Sequence, residues 1–248
     1  MCRHLGYVGP PCSVRDLLTF GSHSLVRQSW APKDMRGGGT INADGYGVAW
    51  WGREGLGRYR SAQPVWADPP LRETLSHIHT GALIAAVRSA TESMPVERSA
   101  CAPFVDGRWA FSHNGVVRGW PNMMADLAAP ISATDLSRLE APTDSAALWL
   151  LLQHRLREQP PVRALASLVL DVDAAAPGSR LNLLLGNGEE LWATAWDHSL
   201  SVLVDENLSI IASEPYDDDP NWKSVPDRHI VSVRPGHLIV TPLRTGDL

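Results

Sequence analysis

Cys2 is where chemistry can first be read in this chain. It directly follows Met1, and a residue as small as Cys permits removal of an initiator Met. The freed residue would then carry a thiol and an α-amine together. An α-amine titrates at about pH 7.7–8.0, so near neutrality it can take the thiol proton and later hand it to a leaving amine. Position alone favours a plainer reading, a small buried hydrophobe at a strand start, because free Cys is among the most buried residue types. Residues further along shift that weighting.

His113-Asn114-Gly115 reads first as a turn, since Asn-Gly between strands usually makes one. The same residues could form an oxyanion hole, with the Asn114 side-chain amide and the Gly115 backbone N–H as donors. Arg88 ends an apolar run over residues 82–91. A strand-end Arg is usually solvated, yet an Arg entering from a buried strand can grip a carboxylate through two parallel hydrogen bonds. Asp144 stands in Thr143-Asp144-Ser145, where it reads as a helix cap or dipole partner or as an acceptor for a substrate ammonium. Arg88 and Asp144 together would read both ends of an α-amino acid head group.

The elements that must position these residues can be outlined from pattern. Residues 5–9 form a short strand stopped by Pro10-Pro11, and Ser13 caps a helix. Residues 36–45 form a flexible glycine-rich loop. Strands follow at 46–51, 82–89 and 108–112. The middle is helical, over 144–157 and, after Pro160-Pro161, over 162–170. Residues 181–185, Asn187-Gly188 and 191–196 make a hairpin. Strands near 200–204, 208–212, 230–234 and 237–241 complete the chain, with Pro235-Gly236 turning the last pair. Strands, then helices, then strands again imply sheet packed on sheet with helices outside, rather than alternating β-α units. No repeat or linker interrupts residues 1–248, which read as a single domain.

Five segments occur in order: Met1-Cys2-Arg3-His4-Leu5-Gly6-Tyr7, Asn42-Ala43-Asp44-Gly45-Tyr46-Gly47, Ala86-Val87-Arg88-Ser89-Ala90-Thr91, Ser112-His113-Asn114-Gly115 and Thr143-Asp144-Ser145. Each is weak alone. Together they resemble the class II glutamine amidotransferase family of N-terminal-nucleophile enzymes, over most of the chain. Within it, Asn42 to Gly45, Val87 to Thr91, Ala102-Pro103-Phe104 and Ala212-Ser213-Glu214-Pro215 with Asp217-Asp218-Asp219-Pro220 look like the amidohydrolase branch of ergothioneine biosynthesis. The resemblance implies an α+β fold, a four-layer αββα sandwich of two antiparallel sheets. It makes Cys2 the nucleophile of a mature chain starting at Cys2. It makes Asn114 and Gly115 the oxyanion donors and Arg88 the binder of the γ-glutamyl α-carboxylate. Thr91 and His113 lie close by, and Asp144 meets the α-ammonium. The implied reaction is hydrolysis of γ-glutamyl-hercynylcysteine sulfoxide through a Cys2 thioester. Two alternatives stay open: a glutaminase subunit feeding ammonia to a separate synthase, and a non-catalytic binding module on the same fold. Two departures bear on the glutamate pocket. Arg3 follows Cys2 where ammonia-transferring members usually have Gly, and Ala86-Val87 precede Arg88 where they usually have His-Thr.

The leaving part of that substrate carries a trimethylammonium group, which aromatic faces hold well. Ten tryptophans exceed the four Tyr and three Phe combined. Most belong in the core, with Trp30, Trp120 and Trp222 the better candidates for substrate contact. The run Asp217 to Asp219 reads equally as a solvated turn and as a complement to the cation. His77 and His79 have strand spacing on one face, but zinc needs a third ligand, so no metal and no cofactor is expected. Cys12 and Cys101 read as structural, and three cysteines make no disulfide framework. A net charge of −5 without a basic stripe argues against nucleic acid. No apolar run reaches membrane-spanning length and no signal region opens the chain, so a cytoplasmic protein with a small-molecule γ-glutamyl substrate is expected. Nothing in the sequence fixes an oligomeric state.

Overall fold

The computed structural model describes residues 2–35 and 41–244. Met1 and the glycines of the expected loop at 36–40 lie outside the described residues. Thirteen strands among those described form two sheets. They are β1 (Arg3–Ser13), β2 (Tyr46–Gly52), β3 (Gly55–Ser61), β4 (His79–Val87), β5 (Phe104–Asp106), β6 (Trp109–Val116), β7 (Arg180–Gly186), β8 (Leu191–Ala195), β9 (Ser201–Val204), β10 (Ser209–Ala212), β11 (Lys223–Ser224), β12 (His229–Arg234) and β13 (His237–Pro242). The first sheet runs β11-β9-β10-β1-β4-β2-β3 and the second β13-β12-β8-β7-β6-β5. Their pairings are antiparallel.

Helices cover the outer faces. Short helices α1 (Val14–Thr19), α2 (Leu25–Gln28) and α3 (Pro70–Glu73) pack on the first sheet, under a cluster that includes Leu5, Tyr7, Leu18, Leu71 and Leu83. After α4 (Met124–Leu127) and α5 (Ala133–Leu136), the two long helices α6 (Asp144–Leu156) and α7 (Pro161–Ala175) cover the second sheet. There Phe111 of β6 stacks on Trp149 of α6 at 5.4 Å between ring centres. A third apolar cluster lies between the sheets and is rich in small residues, among them Ala49, Ala82, Ala110, Ala193 and Ala195. The result is the four-layer αββα sandwich expected from the segregated strand and helix pattern.

Each helix start has a local cause. Ser13 Oγ accepts from Asp16 N at 3.0 Å, capping α1. Thr143 Oγ1 accepts from Ala146 N at 3.2 Å, capping α6. Pro161 opens α7, where a missing N–H costs nothing. In the hairpin between β7 and β8, Asn187 Oδ1 accepts from the N–H groups of Glu189 and Glu190, and Gly188 supplies the positive φ of 95°.

Three local expectations are corrected. Pro10-Pro11 does not stop β1, which carries a register shift between Val8 and Cys12 and then resumes pairing with β4. Pro lacks an N–H and is tolerated where a ladder is interrupted in this way. His113-Asn114-Gly115 is not a turn. β6 runs through it, with His113 opposite Leu183 and Asn114 opposite Asn182. Residues 41–45 are not free loop either: Asn42 is buried, and its N–H donates to Ser29 O at 2.7 Å.

Candidate active site

The strand order places β1 between β10 and β4, and the register decides what flanks its first residues. Leu5 lies opposite Ala212 of β10, and Arg3 lies opposite Val87 of β4. The start of β1 is therefore bordered by Ser213-Glu214 on one side and by Arg88-Ser89 on the other. Cys2, half-buried, immediately precedes β1, with Sγ 3.7 Å from Ser89 O.

The β4 side is built by the Asn-Ala-Asp-Gly segment. Asp44 N donates to Arg88 O at 3.0 Å, and Arg88 N donates to Gly45 O at 2.8 Å. Asp44 Oδ2 accepts from Ala90 N at 2.7 Å. Gly45 has a φ of 111°, and a Cβ there would approach the Cys101 Sγ to 2.4 Å, so no larger residue fits this clamp. The Arg88 side chain is buried and donates through Nη1 to Pro95 O at 2.9 Å. A guanidinium has five N–H groups, so its capacity for a two-bond grip on a carboxylate remains. Arg88 lines a small cavity together with Cys2, Val87, Ala102, His113 and Ser145. Residues at the first sheet's end thus meet His113 of β6 and Ser145 of α6.

The second sheet supplies that other wall. His113 is buried, with Nε2 2.9 Å from Arg180 O and Nδ1 3.0 Å from Ser145 Oγ. A carbonyl can only accept, so Nε2 carries the hydrogen and, in the neutral ring, Nδ1 accepts from the Ser145 hydroxyl. Asn114 is fully buried and its Nδ2 donates to Ser213 Oγ at 3.0 Å, bridging β6 to the end of β10. An amide NH2 has two hydrogens, which leaves one for a ligand. Gly115 is required by contact: a Cβ would come within 1.8 Å of Arg180 O.

Asp144 takes up a structural position. Its Oδ2 accepts from Val117 N at 3.0 Å, and its Oδ1 accepts from Ser145 N at 2.7 Å. The carboxylate thereby latches the start of α6 to the end of β6. Asp144 does not line the Cys2 cavity; its neighbour Ser145 does.

The β10 side holds residues whose role the sequence left unread. Arg3 is fully buried; its Nε donates to Glu214 Oε1 at 2.9 Å and its Nη1 to Cys2 O at 3.0 Å, with Nη2 on Asp34 O. Glu214 Oε2 meets His23 Nε2 at 2.9 Å and accepts from Lys33 N at 2.8 Å. A buried ion pair is viable only when its remaining hydrogen-bonding capacity is met, and here it is. The readable signal was one Arg and one Glu, each set in an apolar strand segment. Beside this pair opens a cleft of about 900 Å³, counting its solvent-filled mouth, lined by Lys33, Ser199, Ser201, Ser213, Glu214 and Ser224 among others.

His4 points between the sheets with both ring nitrogens buried and without a protein partner. Burial above all, then the nearby His113, His198 and Arg3, lowers its pKa to about 3, so it is neutral at any ordinary pH. The other thiols are poor nucleophiles: burial pushes Cys101 up to about 11 and raises Cys12.

The remaining expected contacts do not converge on Cys2. Thr91 is exposed in the turn after Arg88, its carbonyl accepting from Met94 N. Trp30 packs edge-on against Trp66 at 5.6 Å and lines a separate groove with Arg15 and Leu71. Trp120 is half-buried beyond β6. Trp222 donates through Nε1 to Asp217 Oδ1 at 2.7 Å, so the acidic run is tied into its own loop. Among the described residues, no aromatic side chain lines either cavity beside Cys2. Several tryptophans instead fill the core, including Trp149, Trp192 and Trp196 under α6 and α7. His77 and His79 are exposed, and no group of three His, Cys, Asp or Glu among the described residues could hold a metal ion. No helix of the described residues is long and apolar enough to cross a membrane.

Residues 16–206 match the family model described as glutamine amidotransferases class-II; Cys2, Arg3 and Glu214 fall outside that span. A protein of Mycolicibacterium smegmatis named gamma-glutamyl-hercynylcysteine sulfoxide hydrolase is 41% identical over 245 residues, covering 98% of this chain and 100% of that one. Its namesake from Mycobacterium tuberculosis is 40% identical over 244 residues, covering 98% and 97%. Among solved structures, a glutamine aminotransferase class-II domain protein from Silicibacter pomeroyi superposes with a TM-score of 0.71 at 23% identity, covering 98% of this chain and 100% of that one. A Bacillus subtilis glutamine phosphoribosylpyrophosphate amidotransferase superposes at 0.72 with 14% identity, covering 99% of this chain and 50% of that one.

Proposed function

The chain belongs to the class II glutamine amidotransferase family, and on that premise we propose that it hydrolyses the γ-glutamyl amide bond of γ-glutamyl-hercynylcysteine sulfoxide. The products are glutamate and hercynylcysteine sulfoxide, in ergothioneine biosynthesis. The observation that carries this reading is the convergence of the Cys2 thiol, the Arg88 guanidinium and the His113 strand on one small cavity. The near-complete overlap with two relatives of that name supports the choice of substrate. The whole of residues 1–248 serves as one amidohydrolase domain, with Cys2 as its first residue once Met1 is removed.

The course of the reaction follows from the groups present. The freed α-amine of Cys2 takes the thiol proton, and the thiolate attacks the γ-carbonyl carbon. The carbonyl oxygen becomes an oxyanion held by the free hydrogen of Asn114 Nδ2 and by Gly115 N–H. The carbon–nitrogen bond breaks as the α-ammonium returns its proton to the departing amine, leaving a γ-glutamyl thioester on Cys2. Water, deprotonated by the same amine, attacks the thioester; glutamate leaves and the thiol is restored. Arg88 holds the α-carboxylate of the glutamyl group. Asp144, next to the lining residue Ser145, is assigned its α-ammonium, through lone pairs that Val117 N and Ser145 N leave open.

Glutamate release from the sulfoxide by the purified protein, followed beside intact mass, tests this. The expected result is a mature chain lacking Met1, turnover by the native protein, and a loss on the order of 10⁴-fold or more in Cys2→Ala, as when a catalytic nucleophile is removed. Retention of Met1, or turnover surviving in Cys2→Ala, overturns the assignment.

A further inference from the structure

Asn114 and Asn182 stand opposite each other on β6 and β7, and their side-chain amides are held differently. Asn182 is bound at both ends. Its Nδ2 donates to His198 O at 3.3 Å and to Ser199 O at 2.8 Å, and its Oδ1 accepts from Trp196 N at 2.8 Å. Asn114 is equally buried, but among the described residues its amide makes one hydrogen bond, from Nδ2 to Ser213 Oγ at 3.0 Å. Its Oδ1 has no protein partner among them. The last torsion of an asparagine is broad and roughly two-fold, so the side chain alone does not decide whether its NH2 or its oxygen faces the carbonyl under attack. The group that meets the amide decides it.

We infer that Ser213 is a positioning residue for the oxyanion hole, fixing which end of the Asn114 amide is offered to the reaction and tying that amide to the strand that carries Cys2. This rests on the proposed function, which makes Asn114 an oxyanion donor. Ser213 directly follows β10, beside the start of β1. Its N–H donates to His4 O at 3.0 Å, and its Oγ accepts from His4 N at 3.0 Å. In this last rung the hydroxyl oxygen stands where an antiparallel ladder would use the carbonyl of the same residue. The hydroxyl hydrogen is directed to His4 O at 3.4 Å. A hydroxyl has one hydrogen and two lone pairs. His4 takes the hydrogen and one lone pair, so only a lone pair faces Asn114. A lone pair can meet an N–H but not a carbonyl oxygen. The amide is therefore held with Nδ2 toward Ser213, and the second Nδ2 hydrogen is kept for the oxyanion. His4 lies two positions from Cys2 on the same strand, so one hydroxyl sets the oxyanion donor of the second sheet against the nucleophile of the first. Ser213 and Asn114 are both fully buried, which keeps bulk solvent out of the link.

Ser213→Ala, Ser213→Cys, Asn114→Ala and the double variant Ser213→Ala/Asn114→Ala are assayed on the sulfoxide and on γ-glutamyl p-nitroanilide, with thermal midpoints measured alongside. Ser213→Ala is expected to lower kcat at least about tenfold while KM stays within about twofold, because Arg88 still binds the glutamyl group. Ser213→Cys keeps the size but accepts hydrogen bonds only weakly, and should lose nearly as much. In the Asn114→Ala background, Ser213→Ala should lower kcat by less than about twofold further, since a residue acting through Asn114 then has nothing to position. Alkylation of Cys2 by iodoacetamide forms no oxyanion and should keep its native rate in Ser213→Ala. Losses that multiply in the double variant, full activity in Ser213→Cys, or slowed alkylation would each mark a merely structural role and overturn the inference. A slow Asn114→Ala beside a fully active Ser213→Ala also overturns it alone. A native kcat in Asn114→Ala removes the oxyanion reading itself, and the role of Ser213 with it. If the sulfoxide is not turned over, the substrate reading fails, while the same comparison on the p-nitroanilide still decides the role of Ser213. A native protein idle on both substrates overturns both.

Discussion

The two flanks of Cys2 are built in different ways. On the β4 flank, Arg88 is held by its own backbone: Asp44 and Gly45 clamp it through bonds of 3.0 and 2.8 Å, and its charged end faces the cavity. On the β10 flank, Glu214 and Arg3 spend their charges on each other and on their surroundings. One flank keeps its polar capacity for a ligand, whereas the other uses it to hold the chain that carries the nucleophile. An active site needs both, because a thiol that must meet a carbonyl within about 3–3.5 Å is only as well placed as the strand beneath it.

This contrast can be broken first at Glu214. Glu214→Ala leaves Arg3 buried and unpaired, and should cost about 3–5 kcal/mol of unfolding free energy in urea titration. The half-exposed pair of Arg155 with Asp171 serves as a control, since Asp171→Ala should cost at most about 1 kcal/mol. Equal costs would mean that the Arg3 pair is not the anchor described. Asn114 joins the two sheets and should show its effect in rate. Asn114→Ala should lower kcat by about 10²–10³-fold, the effect of losing one oxyanion donor, whereas a loss confined to KM would argue against that role. The β4 flank is sharpened by Arg88→Lys, which keeps the charge but not the two-bond geometry. It should raise KM by roughly ten- to hundredfold, as expected for about 1.5–3 kcal/mol of charge-assisted bonding, with the urea midpoint little changed. A large stability loss instead would show that Arg88 serves the fold as Glu214 does.

Legibility in the sequence followed the range of the interactions. The long helices, the Ser13 cap and the Asn187-Gly188 hairpin depend on neighbours a few residues away, and they were readable. Where local and distant signals competed, the local one misled. Asn114-Gly115 carries turn residues, yet pairing with β7 on one side and the stacking of Phe111 on Trp149 hold it as strand. Pro10-Pro11 carries a stop signal, yet the ladder to β4 resumes beyond it. Most of the tryptophan surplus reads as core from the sequence, and Trp149, Trp192 and Trp196 do pack under α6 and α7.

By itself, the sequence determined which groups are present and in what order: a thiol at position 2, an amide with a following glycine, an Arg at the end of an apolar run, and enough alternating strand for two sheets. Those facts are local, set by residue type and by spacing of a few positions. Only the tertiary structure decided which of them share a cavity. The partners lie far apart along the chain, Arg3 and Glu214 separated by 211 positions and Asn114 and Ser213 by 99. The meeting of such groups is fixed by strand order and register, and a shift of one residue in register would turn the side chains to the opposite face.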